Sequence, residues 1–178
     1  MIIGIAGEAG SGKGTAADVL IARGFVRGKF ANALKAMLRT LLNYRGVTNE
    51  DIERMIEGDL KELPHPALNG KSPRYVMQSL GQWGREAIEN DFWVDVEFDA
   101  NSNATDLLFD DLRHDNEEAA IVERRGVVLQ LVGRGGIDSD HISEQFKPKN
   151  ATVIDNSGTI EELQDKVSRF AIDLSWAA

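Results

Sequence analysis

The feature that most limits what this chain can fold into lies at residues 4–15, which read GIAGEAGSGKGT directly after the apolar run Met1-Ile2-Ile3. Gly7, four residues, Gly12 and Lys13 match the pattern G-x-x-x-x-G-K-[ST] up to its last place. There Gly14 stands where a hydroxyl residue is expected, and Thr15 follows one position late. The stretch predicts a short buried strand over residues 2–6, a glycine-rich turn, and a helix over 15–23 that stops at Gly24. Such a turn exposes a row of backbone N–H groups, and the helix N-terminus adds its partial positive charge. Together they bind phosphate oxygens. Lys13 would reach the outer phosphates, while Gly10 and Gly12 let the backbone come close. An ordinary strand-to-helix turn is the bland alternative, and the strand before it and helix after it weigh against that.

The bulk numbers narrow the setting. At 178 residues, 42% of them hydrophobic, the chain is expected to form one domain with a real core. No stretch approaches the roughly 18 apolar residues of a membrane span. The run over residues 1–5 has no basic flank and is too short for a signal peptide. The absence of cysteine excludes a disulfide framework and thiolate metal sites, and suits a reducing cytoplasm. With 29 acidic against 20 basic residues the net charge is −9, which argues against a broad face for a nucleic-acid polymer.

Further along, residues 25–30 and 105–113 read as strands, as do 127–132 and 151–156. Leu34, Met37, Leu38, Leu41 and Leu42 mark a helix by their spacing. Residues 48–58 suggest a short exposed helix, and 58–72 a loop punctuated by Pro, Gly and Asn. Ser72-Pro73 caps a helix running to about residue 89, and 91–98 is a further helical segment. Acidic residues open, and Arg124-Arg125-Gly126 closes, a helix over 116–126. Thr159 and Glu162 form a capping box for the last helix. Strands alternating with helices predict an α/β domain with a mainly parallel sheet.

Two more places could carry chemistry. On a helix from Pro73, Arg74, Gln78, Gly81 and Arg85 fall within roughly 60° of one another, with Val76, Leu80, Trp83 and Ala87 opposite as the apolar face. Two planar guanidinium forks suit phosphate, an amide can read a base edge, and Gly81 clears space. An exposed face with incidental arginines is the alternative. The second place is LLFDDLRHDNE, an apolar strand ending in Asp110-Asp111. Such an acidic strand end holds Mg²⁺ water ligands in phosphate-loop enzymes. Strand alternation would put Asp111 and Arg113 on one face. Helix-capping acids at a strand end are the equal alternative. His65, His114 and His141 share no metal-ligand spacing, and Trp83, Trp93 and Trp176 are expected to pack.

GEAGSGKGTAAD, FANALK, SPRYVMQSLGQWGRE with FWV, DLRHDNEEAAI, HISE and NSGTIEEL occur in the order found in phage-type deoxynucleoside monophosphate kinases, and nearly the whole chain resembles that family. The resemblance implies a three-layer α/β/α sandwich of the nucleoside monophosphate kinase type, with a five-stranded sheet. It implies transfer of the ATP γ-phosphoryl group to a deoxynucleoside monophosphate (dNMP) with Mg²⁺ as cofactor, in the cytoplasm of a host if phage-encoded. Gly10, Ser11, Gly12, Lys13, Gly14 and Thr15 would then hold ATP. Lys35, Arg74, Gln78, Arg85, Asp111, Arg113 and Glu117 would line the acceptor site within a helical region over 31–98. Lys13, Asp111 and Arg134 become the catalytic candidates, and Thr15 and Asp111 the Mg²⁺ candidates through water. Glu117 would accept from base N–H donors, favouring guanine over adenine.

Residues 133–150 look like a lid carrying Arg134. The sequence departs from the family at His114, where a Phe is usual, and its lid is poor in arginine. A dephospho-coenzyme A kinase would share the loop but has no evident use for the Arg74/Gln78/Arg85 face. Asp155-Asn156-Ser157-Gly158 fits the D-x-x-G pattern of a nucleotide-dependent switch, but no N-K-x-D follows it. Nothing in these residues sets the oligomeric state, a homodimer included.

Overall fold

Long crossovers, not hairpin turns, separate the strands of this chain, and strands joined that way pair in parallel. The computed structural model describes residues 1–135 and 146–177. Its elements are β1 (Ile2–Ala6), α1 (Lys13–Ile21), β2 (Val26–Gly28), α2 (Asn32–Tyr44), α3 (Asn49–Ile56), α4 (Pro73–Trp83), α5 (Phe92–Ala100), β3 (Leu107–Phe109), α6 (Asp115–Glu123), β4 (Val127–Val132), β5 (Ala151–Asp155) and α7 (Ile160–Ala177). The five strands form one sheet in the order β2-β3-β1-β4-β5, and every pair is parallel. The fold is α/β, with helices flanking the sheet. No helix among the described residues is long and apolar enough to cross a membrane.

Alternation along β1 builds the layers. Ile3 and Ile5 point into a buried cluster with Ala16, Ala17 and Leu20 of α1 and Leu163, Val167 and Ala171 of α7. Between them, Gly4 points to the other face, where Ile121 of α6 lies against it. Each fully buried Leu or Ile adds roughly 2 kcal/mol. Such burial, more than helix propensity, holds the nine-residue α1 in place.

The chain divides into two compact units, Met1–Phe30 with the chain from Phe98 onward, and Ala31–Glu97. The first contains the whole sheet. The second is helical and has its own core, in which Leu34, Leu38 and Leu42 of α2 pack with Ile52, Met55 and Ile56 of α3, Met77 of α4 and Trp93 of α5.

Several elements differ from what the sequence suggests. The strand expected over 105–113 pairs only at Leu107–Phe109, so the alternation argument for Asp111 and Arg113 does not hold. Asp110 instead turns back to Arg27 of β2, and the chain leaves the sheet there. The helix expected to reach residue 89 is α-helical only to Trp83 and continues as a π turn over Gly84–Ile88. Its buried stripe is Pro73, Met77, Gly81 and Gly84. Val76 and Leu80 are only partly buried beside the core, and Trp83 is 48% exposed, so the expected apolar face is rotated and Trp83 does not pack.

Candidate active site

The glycine loop emerges from the carboxyl end of β1, the central strand, with β3 on one side and β4 on the other. That end is where open parallel sheets take their ligands, at the point where strand order turns. Gly10 and Gly12 have φ of 80° and 98°, a left-handed conformation that glycine adopts without strain. Gly12 is the N-cap of α1 and offers no side chain as a cap. The first amides of α1 therefore have no intrahelical acceptor and no capping oxygen, which is how a helix presents an anion site.

Lys13 Nζ folds back over this loop, donating to the carbonyls of Gly7 (2.5 Å) and Glu8 (2.7 Å). Its charge is thus held at the loop by weak acceptors that an anionic ligand can outcompete. Ser11 is fully buried, and its hydroxyl has no hydrogen-bond partner among the described residues. The Ser11 carbonyl accepts from the side-chain amide of Asn156, at 2.9 Å. Sequence reasoning missed Asn156. It lies in the D-x-x-G segment, and its contact spans 145 positions. Thr15 sits in the first turn of α1, half-buried.

The acidic strand end is a set of structural contacts. Asp110, 7% exposed, is gripped by Arg27 through both Nε and Nη2. The hydrogen bond to Asp110 holds the Arg27 guanidinium above its ordinary value, against the opposing effect of burial. Asp111 Oδ1 accepts from the Phe30 amide at 3.1 Å, which fixes the carboxylate at the turn after β2. Glu117, expected to read a base, is buried. Its Oε2 accepts from the amides of Arg113 (2.7 Å) and His114 (3.1 Å), closing the N-terminus of α6.

Glu118, also buried, accepts from the amides of Lys149 and Asn150, each at 2.8 Å at the nearest. Lys149 Nζ adds an ion pair to Asp115, which raises its pKa from the ordinary lysine value. The expected lid over 133–150 lies outside the described residues for 136–145, together with His141. Of the part described, Arg134 is exposed and donates to the Gly158 carbonyl at 2.9 Å.

No cluster of three or more His, Cys, Asp or Glu able to hold a metal occurs among the described residues. Thr15 and Asp111 nevertheless supply hard oxygen donors. Mg²⁺ typically takes only one or two protein oxygens and completes its shell with water and substrate phosphates. The residues present fit that mode of binding.

In the helical unit, Trp93 explains the π turn. Its indole Nε1 donates to the Gly81 carbonyl at 2.9 Å, occupying an acceptor that the next helical turn would use. The ring also lies where a β-carbon of Gly84 would stand, within 2.4 Å of Nε1, so only glycine fits. The turn widens, and Glu89 N–H reaches back to Gly84 O. Arg85 rides on this turn with its guanidinium over Gly81. The side chains of Arg85 and Gln78 make no hydrogen bond among the described residues, whereas Arg74 is paired with Glu62 and the buried Lys35 with Glu57 at 2.8 Å. The four expected acceptor residues of this unit therefore divide into two whose side chains are already partnered and two whose side chains make no hydrogen bond among the described residues.

No family model matches the chain. It is 30% identical over 189 residues to a protein of Acanthamoeba polyphaga mimivirus named "Putative deoxynucleotide monophosphate kinase", an alignment covering 94% of each chain. Among solved structures, TT1252 from Thermus thermophilus superposes with a TM-score of 0.51 at 21% identity. It covers 98% of this chain and 97% of that one, a likeness of fold.

Proposed function

The chain belongs to the deoxynucleotide monophosphate kinase family, and from that premise we propose that it transfers the γ-phosphoryl group of ATP to a dNMP, giving the diphosphate and ADP. The observation that carries this reading is Lys13 folded over a glycine-opened loop at the N-terminus of α1. ATP phosphates bind the loop amides of residues 10–15, and Lys13 leaves the carbonyls of Gly7 and Glu8 for the phosphate oxygens. An oxygen of the acceptor phosphate forms the new bond to the γ-phosphorus as the bond to the β–γ bridging oxygen breaks. Negative charge grows on that bridging oxygen and on the transferring group, where Lys13 stabilises it.

Arg85 and Gln78 bind the acceptor without giving up a side-chain hydrogen bond to any described residue. Arg74 and Lys35 join by exchanging Glu62 and Glu57 for the more highly charged phosphate. Arg113, its backbone held by Glu117, contributes a further phosphate contact. Arg134 is the lid's cation for the transferring group, exchanging the Gly158 carbonyl for it. Thr15 and Asp111 would hold Mg²⁺ through water. When bound, the ion neutralises phosphate charge and aligns the oxygens.

A coupled ADP-release assay with each common dNMP and NMP tests this. ADP release is expected only with ATP and a monophosphate acceptor together, and faster with deoxyribose acceptors. Release unaffected by any acceptor would reduce the protein to an ATPase, and no release to a binding module.

A further inference from the structure

Asn156, in the segment Asp155-Asn156-Ser157-Gly158, is used by no step of the transfer described above. We infer that Asn156 is a positioning residue for the phosphate loop, setting the direction of the Gly12 amide and hence the grip on ATP phosphates. The inference rests on reading that loop as the ATP site, and adds a residue from the opposite end of the chain.

Asn156 stands one residue past β5, and its backbone N–H donates to Val132 O at 2.7 Å. This extends the β4–β5 ladder one step and fixes where its side chain leaves the sheet. The side chain is 97% buried in effect, since Asn156 is only 3% exposed. Its Nδ2 donates to Ser11 O at 2.9 Å. A β-carbon at Gly12 would stand 2.6 Å from Nδ2 and 2.9 Å from Leu163 Cδ2, so the amide is packed beneath the turn and backed by α7.

Peptide geometry converts that contact into a constraint on the site. The Ser11 C=O and the Gly12 N–H belong to one planar trans peptide and point in opposite directions. Holding the carbonyl toward Asn156 therefore turns the Gly12 amide away from Asn156. It then points the same way as the amides that begin α1, in a single anion-binding row. If the Ser11 carbonyl were released, the peptide could flip and present its negative end to phosphate.

The chemistry selects Asn for this position. A carboxamide of this length brings an N–H donor to Ser11 O, whereas the isosteric carboxylate of Asp would set oxygen against oxygen. On this account the D-x-x-G match is a structural support for the phosphate loop and not a guanine-nucleotide switch. Asp155 supports it in turn, its Oδ2 accepting from Ser157 Oγ at 2.6 Å.

The test is isothermal titration of ATP, without acceptor, into wild type, Asn156→Ala and Asn156→Asp. Steady-state KM values for both substrates accompany it. Asn156→Ala should bind ATP about tenfold more weakly and Asn156→Asp more weakly still, with KM for the dNMP unchanged. A general packing role would lower Tm and kcat through the folded fraction while KM for ATP stayed at the wild-type value. That outcome overturns the inference. In the wild type, which carries no folding risk, nuclear magnetic resonance should show a slowly exchanging Asn156 Nδ2 proton that shifts when ATP is added. A fast-exchanging, ATP-insensitive amide overturns it too. Wild type that bound no ATP would overturn the phosphate-site reading and the inference with it. ATP binding unchanged in both variants overturns the inference alone.

Discussion

The guanidinium of Arg85 lies over Gly81, with Nη2 3.5 Å from the point where a β-carbon would stand. That spacing is ordinary contact for a methyl group and too little for anything longer. Gly81→Ala should therefore leave Arg85 in place and gain up to about 1 kcal/mol from helix propensity. Gly81→Leu should push Arg85 aside and raise KM for the dNMP by about tenfold, since a charged hydrogen-bonding partner is lost. ATP affinity without acceptor should not change in either variant. Equal acceptor KM in wild type and Gly81→Leu would remove Arg85 from the acceptor site.

Lys13→Ala should fold as wild type, because the Nζ bonds go to loop carbonyls and not to the core. Turnover should fall by about two powers of ten or more, the usual effect of removing a positioned charge from the transition state. Circular dichroism and single-turnover rates measured on one preparation check this. Near-normal turnover in a folded variant would contradict the assigned role.

Glu117 separates two accounts of the acceptor site. With Oε2 already taking the Arg113 and His114 amides, Glu117→Ala should cost roughly 1 kcal/mol of stability as a lost cap. Any loss of kcat/KM should be uniform across the dNMPs, passed on through the backbone of Arg113. A four-substrate profile in which Glu117→Gln specifically narrowed a preference for dGMP over dAMP would restore a base-reading role.

Arg27→Ala should be the most destabilising of these changes. It strips the partner from a carboxylate at 7% exposure while Arg27 itself is 32% exposed. Breaking such a pair costs about 3 kcal/mol, the low end for buried pairs because water reaches one side. Tm should fall by about 6–12 °C. Asp110→Asn, which keeps a hydrogen-bonding group there, should lose less.

How far the sequence revealed the molecule depended on the range of each interaction. The loop was legible because Gly10, Gly12 and Lys13 carry their signal within a few residues of β1 and α1. The parallel sheet followed from the spacing of apolar runs. By contrast, the π turn exists because Trp93 reaches Gly81 and Gly84 from α5, and a helical wheel drawn on one segment has no access to that. Asp110-Asp111 read as a continuing strand because nothing local betrays that Arg27 takes the first carboxylate. Asn156 went unrecognised for the same reason, its partner lying at the other end of the chain. Of the candidate site, the glycine loop and the helix that carries Arg74 and Gln78 could be located in advance. Which of their charges already have partners could not.

The most direct test of the central claim is to follow label from γ-labelled ATP after mixing with protein, Mg²⁺ and one dNMP. The account predicts that label appears in the deoxynucleoside diphosphate, one equivalent for each ADP formed, and that Lys13→Ala slows this by about two powers of ten or more. Label recovered only as inorganic phosphate, or left on ATP, would contradict it.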